Sequence, residues 1–152
     1  MRRKYWRNCK AIGRPLRETG RTWAAPYTKA MSLGVIFFAH GSSVESANEA
    51  VREVARTAAA HGGFECYEAA FLECAQPDLG AAVDRLVERG ATRVLVVPYF
   101  LTLGIHLQRD LPRMVREAAQ HHPELPIDVT PPLDGHPALA GILVERARAA
   151  LR

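Results

Sequence analysis

Two apolar runs constrain this chain more than any other feature: LGVIFFA at 33–39 and TRVLVVPYF at 92–100. Neither alternates with polar residues, the mark of a strand covered on both faces rather than one. Each leads into an amphipathic stretch. After the first run, Ala47, Val51, Val54 and Ala58 recur at spacings of three and four, which predicts a helix. Ser42-x-x-Glu45 reads as a capping box at its start, and Gly62-Gly63 mark its end.

The unit repeats along the chain. FECYEAAFL (64–72) is a second strand, more polar and so nearer a sheet edge, followed by a helix opened by Asp78 and stopped at Gly90. That helix carries Leu79, Ala82, Leu86 and Val87 as its apolar positions. After 92–100, a third helix is expected with Asp110 as cap, Pro112 in its first turn, and Leu111, Met114, Val115 and Ala118 on its apolar side. PIDVTPP (126–132) is strand four, and Pro137 starts a last helix with Leu139, Ile142, Leu143 and Ala147 on one side. The result is a single α/β domain of (βα)₄ type over 31–152, a parallel sheet with flanking helices. The two most apolar strands are central, which gives the order 2-1-3-4. In such a sheet ligands bind beyond the carboxyl ends of the strands, where the chain order reverses between strands one and three.

The net charge of +4 hides an asymmetry. Residues 1–30 carry nine Lys/Arg and one acid, Glu18, whereas 31–152 carry eleven bases against fifteen acids. A basic surface for nucleic acid is therefore not a property of the domain, and no nucleic-acid partner is expected. Residues 1–30 lack periodicity and a long apolar stretch, and Met31 stands just before the first strand. They read as an extension from a mis-set start, or a flexible tail, rather than a targeting segment. No apolar run reaches the roughly 20 residues of a membrane helix, so no membrane partner is expected. Three cysteines without CxxC spacing fit a reducing cytoplasm.

His40 and His106 each follow one of the two apolar strands, so a 2-1-3-4 sheet brings them to the two sides of one crevice. Neutral imidazole is a good ligand for Co²⁺, Fe²⁺, Ni²⁺ and Zn²⁺, and Glu73 at the end of strand two supplies a carboxylate on the same rim. One such histidine is as well explained by a hydrogen bond to loop backbone. Two, with a glutamate, favour a metal site. Ser42 and Ser43 suit a helix cap and equally an anion contact. Phe100, Leu101, Leu103 and Ile105 crowd a segment that ought to be a polar turn, which marks either packing against a loop or an apolar ligand or partner surface. Cys74 is read as a buried structural thiol, and His61, His121 and His122 as helix-end residues. GxGxxG, GxxxxGK[ST] and GxSxG are all absent.

FFAHGS, AFLE with a following proline, VVPYFLTLGIHLQRDLP and PLDGHPAL occur in that order from Met31 to about Arg148. With these motifs the chain resembles the small single-domain sirohydrochlorin chelatases of the CbiX type. The resemblance implies insertion of a divalent metal into sirohydrochlorin without nucleotide hydrolysis, for cobalamin or sirohaem synthesis. It implies that His40 and His106 bind the metal or accept pyrrole protons, and that Glu73 is the acidic residue after the second strand. It further implies a homodimer enclosing the macrocycle, with the 100–105 loop as a wall. Ser42, Ser43, Phe100, Leu103 and Arg109 are candidate substrate contacts, with Arg113 beside them and His136 in a turn before Pro137. No organic cofactor is expected. Cobalt is the first expectation for the metal, then iron, then nickel. A non-catalytic carrier of metal or tetrapyrrole is the alternative. A hydrolase using His40 and Ser42 is weakened by the missing nucleophile elbow, and by Ala39 standing where histidine phosphatases carry arginine.

Overall fold

A computed structural model describes residues 32–102 and 104–151, apart from the side chains of Ile105, His106 and Leu107. The basic segment 1–30 and Leu103 lie outside the described residues. The chain forms β1 (Leu33–Ala39), α1 (Glu45–Gly62), β2 (Cys66–Phe71), α2 (Leu79–Glu88), β3 (Arg93–Pro98), α3 (Ile105–His121), β4 (Ile127–Val129) and α4 (Pro137–Ala149). All strand pairs are parallel, and their order is β2-β1-β3-β4, as the apolarity of the first and third runs requires.

The step from β1 to β2 and the step from β2 to β3 run in opposite directions across the sheet. Right-handed crossovers therefore place α1 on one face, and α2 and α3 on the other. On the α2–α3 side, Ile36 and Phe38 of β1, Ala70 of β2, and Val94 and Val96 of β3 pack against Leu79, Ala82, Val83, Leu86, Leu111 and Ala118. Successive strand residues point to opposite faces, so Val35 and Phe37 look the other way. Val35 is fully buried, and Phe37 meets the Tyr67 ring edge-on at 6.4 Å.

Several expectations need correction. The stripe buried by α1 is Asn48, Ala55 and Ala59, while Ala47 and Val54 are exposed. Counting apolar letters put the face about one residue away, because an amide, not an alkyl side chain, opens the buried stripe. Nor does Ser42-x-x-Glu45 form a capping box. The helix starts at Glu45 behind Val44, which makes no side-chain cap, and the Glu45 carboxylate reaches Asn48 instead. The third helix begins six residues earlier than expected. Gly104 is its N-cap, Gln108 N–H donates to Gly104 C=O at 3.1 Å, and Pro112 lies inside. Proline's fixed φ is compatible with a helix, but at this interior position one N–H donation is lost and the ring crowds the carbonyl four residues earlier. His106 thereby belongs to the first turn of a helix, not to a loop. α2 behaves as read, with Asp78 accepting from Ala81 N–H at 2.9 Å. α4 starts at Pro137 as expected, yet buries none of its residues.

Candidate active site at the carboxyl ends of the central strands

β1 lies between β2 and β3, and both ladders run on past its last residue. Tyr99 N–H donates to Phe38 C=O at 2.7 Å, Leu72 N–H to Ala39 C=O at 2.9 Å, and Glu73 N–H to His40 C=O at 3.0 Å. Parallel register thus fixes Glu73 beside His40. Their side chains meet as well: His40 Nδ1 stands 3.4 Å from Glu73 Oε1, and also 3.4 Å from the Gly41 carbonyl oxygen. Both side chains are about three-fifths exposed, so an incoming ion can reach them. With Nδ1 turned to the carboxylate, Nε2 is the nitrogen left for an ion, the arrangement by which a carboxylate orients a ligating histidine.

One wall of the site is aromatic. The half-buried Phe100 ring lies 5.9 Å from Phe38 and 6.5 Å from His40, so the core continues into the rim. Beyond it Tyr99 and Leu101 are exposed, Leu101 to 66%. An apolar wall beside a carboxylate–imidazole pair suits a flat, largely apolar ligand with titratable centres.

The backbone between His40 and α1 is held tightly. Gly41 takes φ +88°, and a Cβ there would stand 1.9 Å from the Glu73 carbonyl oxygen. Ser42 N–H donates to Asn48 Oδ1 at 2.9 Å, and Asn48 Nδ2 donates to Ser42 C=O at 2.8 Å and to Glu45 Oε2 at 3.1 Å. The Ser42 hydroxyl accepts from Val44 N–H at 3.0 Å, which is the turn-forming role, and Ser43 is exposed. Arg52 then bonds Glu45 Oε1 at 2.6 Å and Glu49 Oε2 at 3.0 Å, and sits 5.2 Å above the Phe71 ring. Arg52 and Asn48 hold the Glu45 carboxyl below its ordinary range, and the same ion pairs raise the Arg52 guanidinium.

The other expected residues divide. His106 lies in the first turn of α3, the element that follows β3 in the chain; its side chain and Leu103 lie outside the described residues. Arg109 is exposed one turn below His106. Arg113 is engaged along its own helix, with Glu117 at 2.9 Å and Asp110 at 3.5 Å, and Glu117 foremost raises its guanidinium. His136 is the N-cap of α4, its Nδ1 accepting from Ala138 N–H at 3.2 Å. His122 ties α3 to α2 through Asp84 at 2.6 Å. Cys74 is exposed, not buried: it takes φ 60° in the turn after β2, which carries its side chain away from the core. Among the described residues no group of three His, Cys, Asp or Glu side chains gathers to hold an ion. A cavity of about 430 Å³ lies elsewhere, along the outer edge of β2, lined by Arg52, Arg56, Arg85 and Arg89 with their glutamate partners.

Gly41, Asn48 and Arg52 brace the loops that carry His40 and Glu73, and were not picked out from the sequence. Gly41 was legible as a glycine directly after a strand-end histidine. Asn48 and Arg52 sit among ordinary helix residues, and only the fold shows what they touch.

A family model for CbiX matches residues 34–150. The sirohydrochlorin cobaltochelatase of Methanopyrus kandleri is 30% identical over 139 residues, spanning 78% of this chain and 97% of that protein. The chloroplastic sirohydrochlorin ferrochelatase of Arabidopsis thaliana is 31% identical over 113 residues, 74% of this chain and 50% of that protein. A crystal structure of a CbiX protein from Marinobacter aquaeolei VT8 superposes with a TM-score of 0.69 at 28% identity, covering 78% of this chain and 97% of the other. A motif order read from strand ends, a 2-1-3-4 parallel sheet and a matching model over most of its length lead to one assignment: the chain belongs to the CbiX family.

Proposed function

We propose that this chain inserts a divalent metal ion into sirohydrochlorin without nucleotide hydrolysis. The observation that carries the reading is the exposed His40–Glu73 pair at 3.4 Å, set beside Phe100 at the end of the central strand. The names of its relatives, cobaltochelatase and ferrochelatase, point to the same reaction. Insertion requires a slot for the ring, bases for two pyrrole protons, and ligands that hold the ion without trapping it. Phe100 supplies the slot's wall. His40 and His106 deliver the ion, since a neutral imidazole can both ligate a divalent metal and accept a proton. Glu73 orients His40 and takes a share of the released protons. The ion replaces two N–H protons of the ring, so charge and atoms balance when both leave to these bases. Ser42, Ser43 and Arg109 line the approach used by the peripheral carboxylates.

Cobalt is the first choice of metal, with iron next; imidazole and carboxylate ligands accept either. The active form is a homodimer. In support, the chain spans nearly all of one relative and half of another, and α4 presents Ile142, Leu143 and Val144 uncovered. The reaction belongs in the cytoplasm, a setting that suits the free thiols of Cys66 and Cys74. No described helix is long and apolar enough to cross a membrane.

The test is spectroscopic. Purified protein mixed with sirohydrochlorin and Co²⁺, Fe²⁺ or Ni²⁺ is expected to speed the visible-band change of metal uptake above the spontaneous rate. Ligand binding without acceleration for any of the three would point to a carrier and overturn the catalytic reading.

A further inference from the structure

Asn48 is a buried polar residue in a stripe of α1 otherwise filled by alanine. It is 1% exposed, whereas Ala55 and Ala59 occupy the next buried positions of the same face. Alanine would continue that packing without an amide to satisfy. The amide's partners explain its presence. Its oxygen accepts from Ser42 N–H at 2.9 Å, and its nitrogen donates to Ser42 C=O at 2.8 Å and Glu45 Oε2 at 3.1 Å. Only this orientation satisfies all three, since Ser42 N–H needs an oxygen and the other two need a donor. These bonds do not cap the helix: Ser42 lies before Val44, the N-cap, and no first-turn N–H is involved.

The amide therefore serves the loop. His40 is followed by Gly41 and then by Ser42, both of whose peptide groups Asn48 holds. On its other side His40 C=O accepts from Glu73 N–H at 3.0 Å. The imidazole thus stands between two backbone anchors, with the tight Gly41 turn joining them. Glu45, the third partner, is itself fixed by Arg52 at 2.6 Å. Rotation of the loop would move Nδ1 away from Glu73 and swing Nε2 off its line.

We infer that Asn48 is a positioning residue for His40, clamping Ser42 so that the imidazole stays aimed at Glu73 on one side and at the incoming metal ion on the other. This rests on the chelatase reading of the His40–Glu73 pair. Loss of a group that orients a ligating side chain typically lowers metal affinity or activity about 10- to 100-fold.

The experiment is a double-mutant cycle on metal insertion, with the KM for Co²⁺ and for sirohydrochlorin determined separately. Asn48→Ala is expected to lower kcat/KM for Co²⁺ by about 10- to 100-fold while leaving the KM for sirohydrochlorin unchanged. In a Glu73→Gln background, where the pair Asn48 maintains is already weakened, the further loss is expected to be much smaller. Titration with Co²⁺ alone is expected to show weaker binding to Asn48→Ala than to wild type. Should Asn48→Ala lack a cooperative melt, Asn48→Asp takes its place in the same cycle, because it keeps the volume and the acceptor toward Ser42 N–H but loses both donations. An equal fold-loss in both backgrounds, or a rise in both KM values together, would mean a merely structural amide and would overturn the inference. Were His40→Ala and Glu73→Gln themselves as fast as wild type, the site assignment would fall, and this inference with it.

Discussion

A Cβ on Gly41 would stand 1.9 Å from the backbone carbonyl oxygen of Glu73. The loop carrying His40 and the turn carrying Glu73 are thus in direct backbone contact, and only a residue without a side chain lets them close. Gly41 also takes φ +88°, a region where other residues are strained by about 1–3 kcal/mol. Gly41→Ala is therefore expected to destabilise the fold by at least about that amount, measured by urea denaturation. It is also expected to depress metal insertion at temperatures where the variant is still folded, because the obstacle is backbone and must displace the His40–Glu73 pair.

The pair makes a sharper prediction about its two members. If His40 serves as the proposed metal ligand and base, His40→Ala removes both together, and insertion is expected to fall by about 100-fold or more. Glu73→Gln keeps size and one acceptor but loses the charge that orients the imidazole, so a loss of about 10- to 100-fold is expected. Neither change touches the core, and both melting temperatures are expected to stay close to wild type. Initial rates of Co²⁺ uptake and thermal melts measured side by side check this. A His40→Ala protein that inserts metal at the wild-type rate would remove His40 from the mechanism.

Strand order and the nearness of His40 and Glu73 were legible because both follow from one-dimensional pattern. Buried parallel strands lack alternation, and register puts residues just beyond adjacent strand ends next to one another. The start of α3 was not, because Pro112 imitates a first-turn proline while the local preferences of 105–108 extend the helix ahead of it. Asn48 stayed hidden for another reason. A polar letter on a helix reads as surface, and its burial depends on Ser42 arriving with a paired N–H and C=O, a tertiary fact. Cys74 was misread by the same logic reversed, its apolar character outweighed by a left-handed turn that exposes it.

Arg52 links α1 to both site loops. It bonds Glu45, which holds Asn48, and its Nη2 approaches the Gln76 carbonyl oxygen in the turn after β2 at 3.4 Å. The hydrogen bond from Arg52, then that from Asn48, lowers the Glu45 carboxyl from its ordinary 4.5. A carboxyl depressed in the folded state adds stability that is complete above its unfolded value and disappears as pH falls through the folded one. The melting-temperature gap between wild type and Arg52→Gln is thus expected to be widest above about pH 5.5 and to narrow as pH drops below 4.5. A gap independent of pH from 7 to about 3 would mean that Arg52 acts through its cover of Phe71 rather than through charge.

The last prediction concerns α4, a helix of 13 residues that buries none of them. Isolated helices of this length are marginal in water, and one that is apolar on most sides requires a cover. Ile142, Leu143 and Val144 are 51%, 71% and 48% exposed. Covering the exposed parts of such side chains in a reciprocal interface favours association of two copies. The helix starts beside the candidate site, since Leu133 N–H in the connection to it donates to the Phe100 carbonyl oxygen at 3.1 Å. A partner seated on α4 would therefore come close to the His40 rim and could supply the macrocycle's second wall. Light scattering is expected to give twice the chain mass for wild type and the single mass for Leu143→Glu, with insertion activity falling in parallel. Leu143→Glu that stays dimeric would show that the dimer uses another face, whereas a wild-type monomer with full activity would show that one wall suffices.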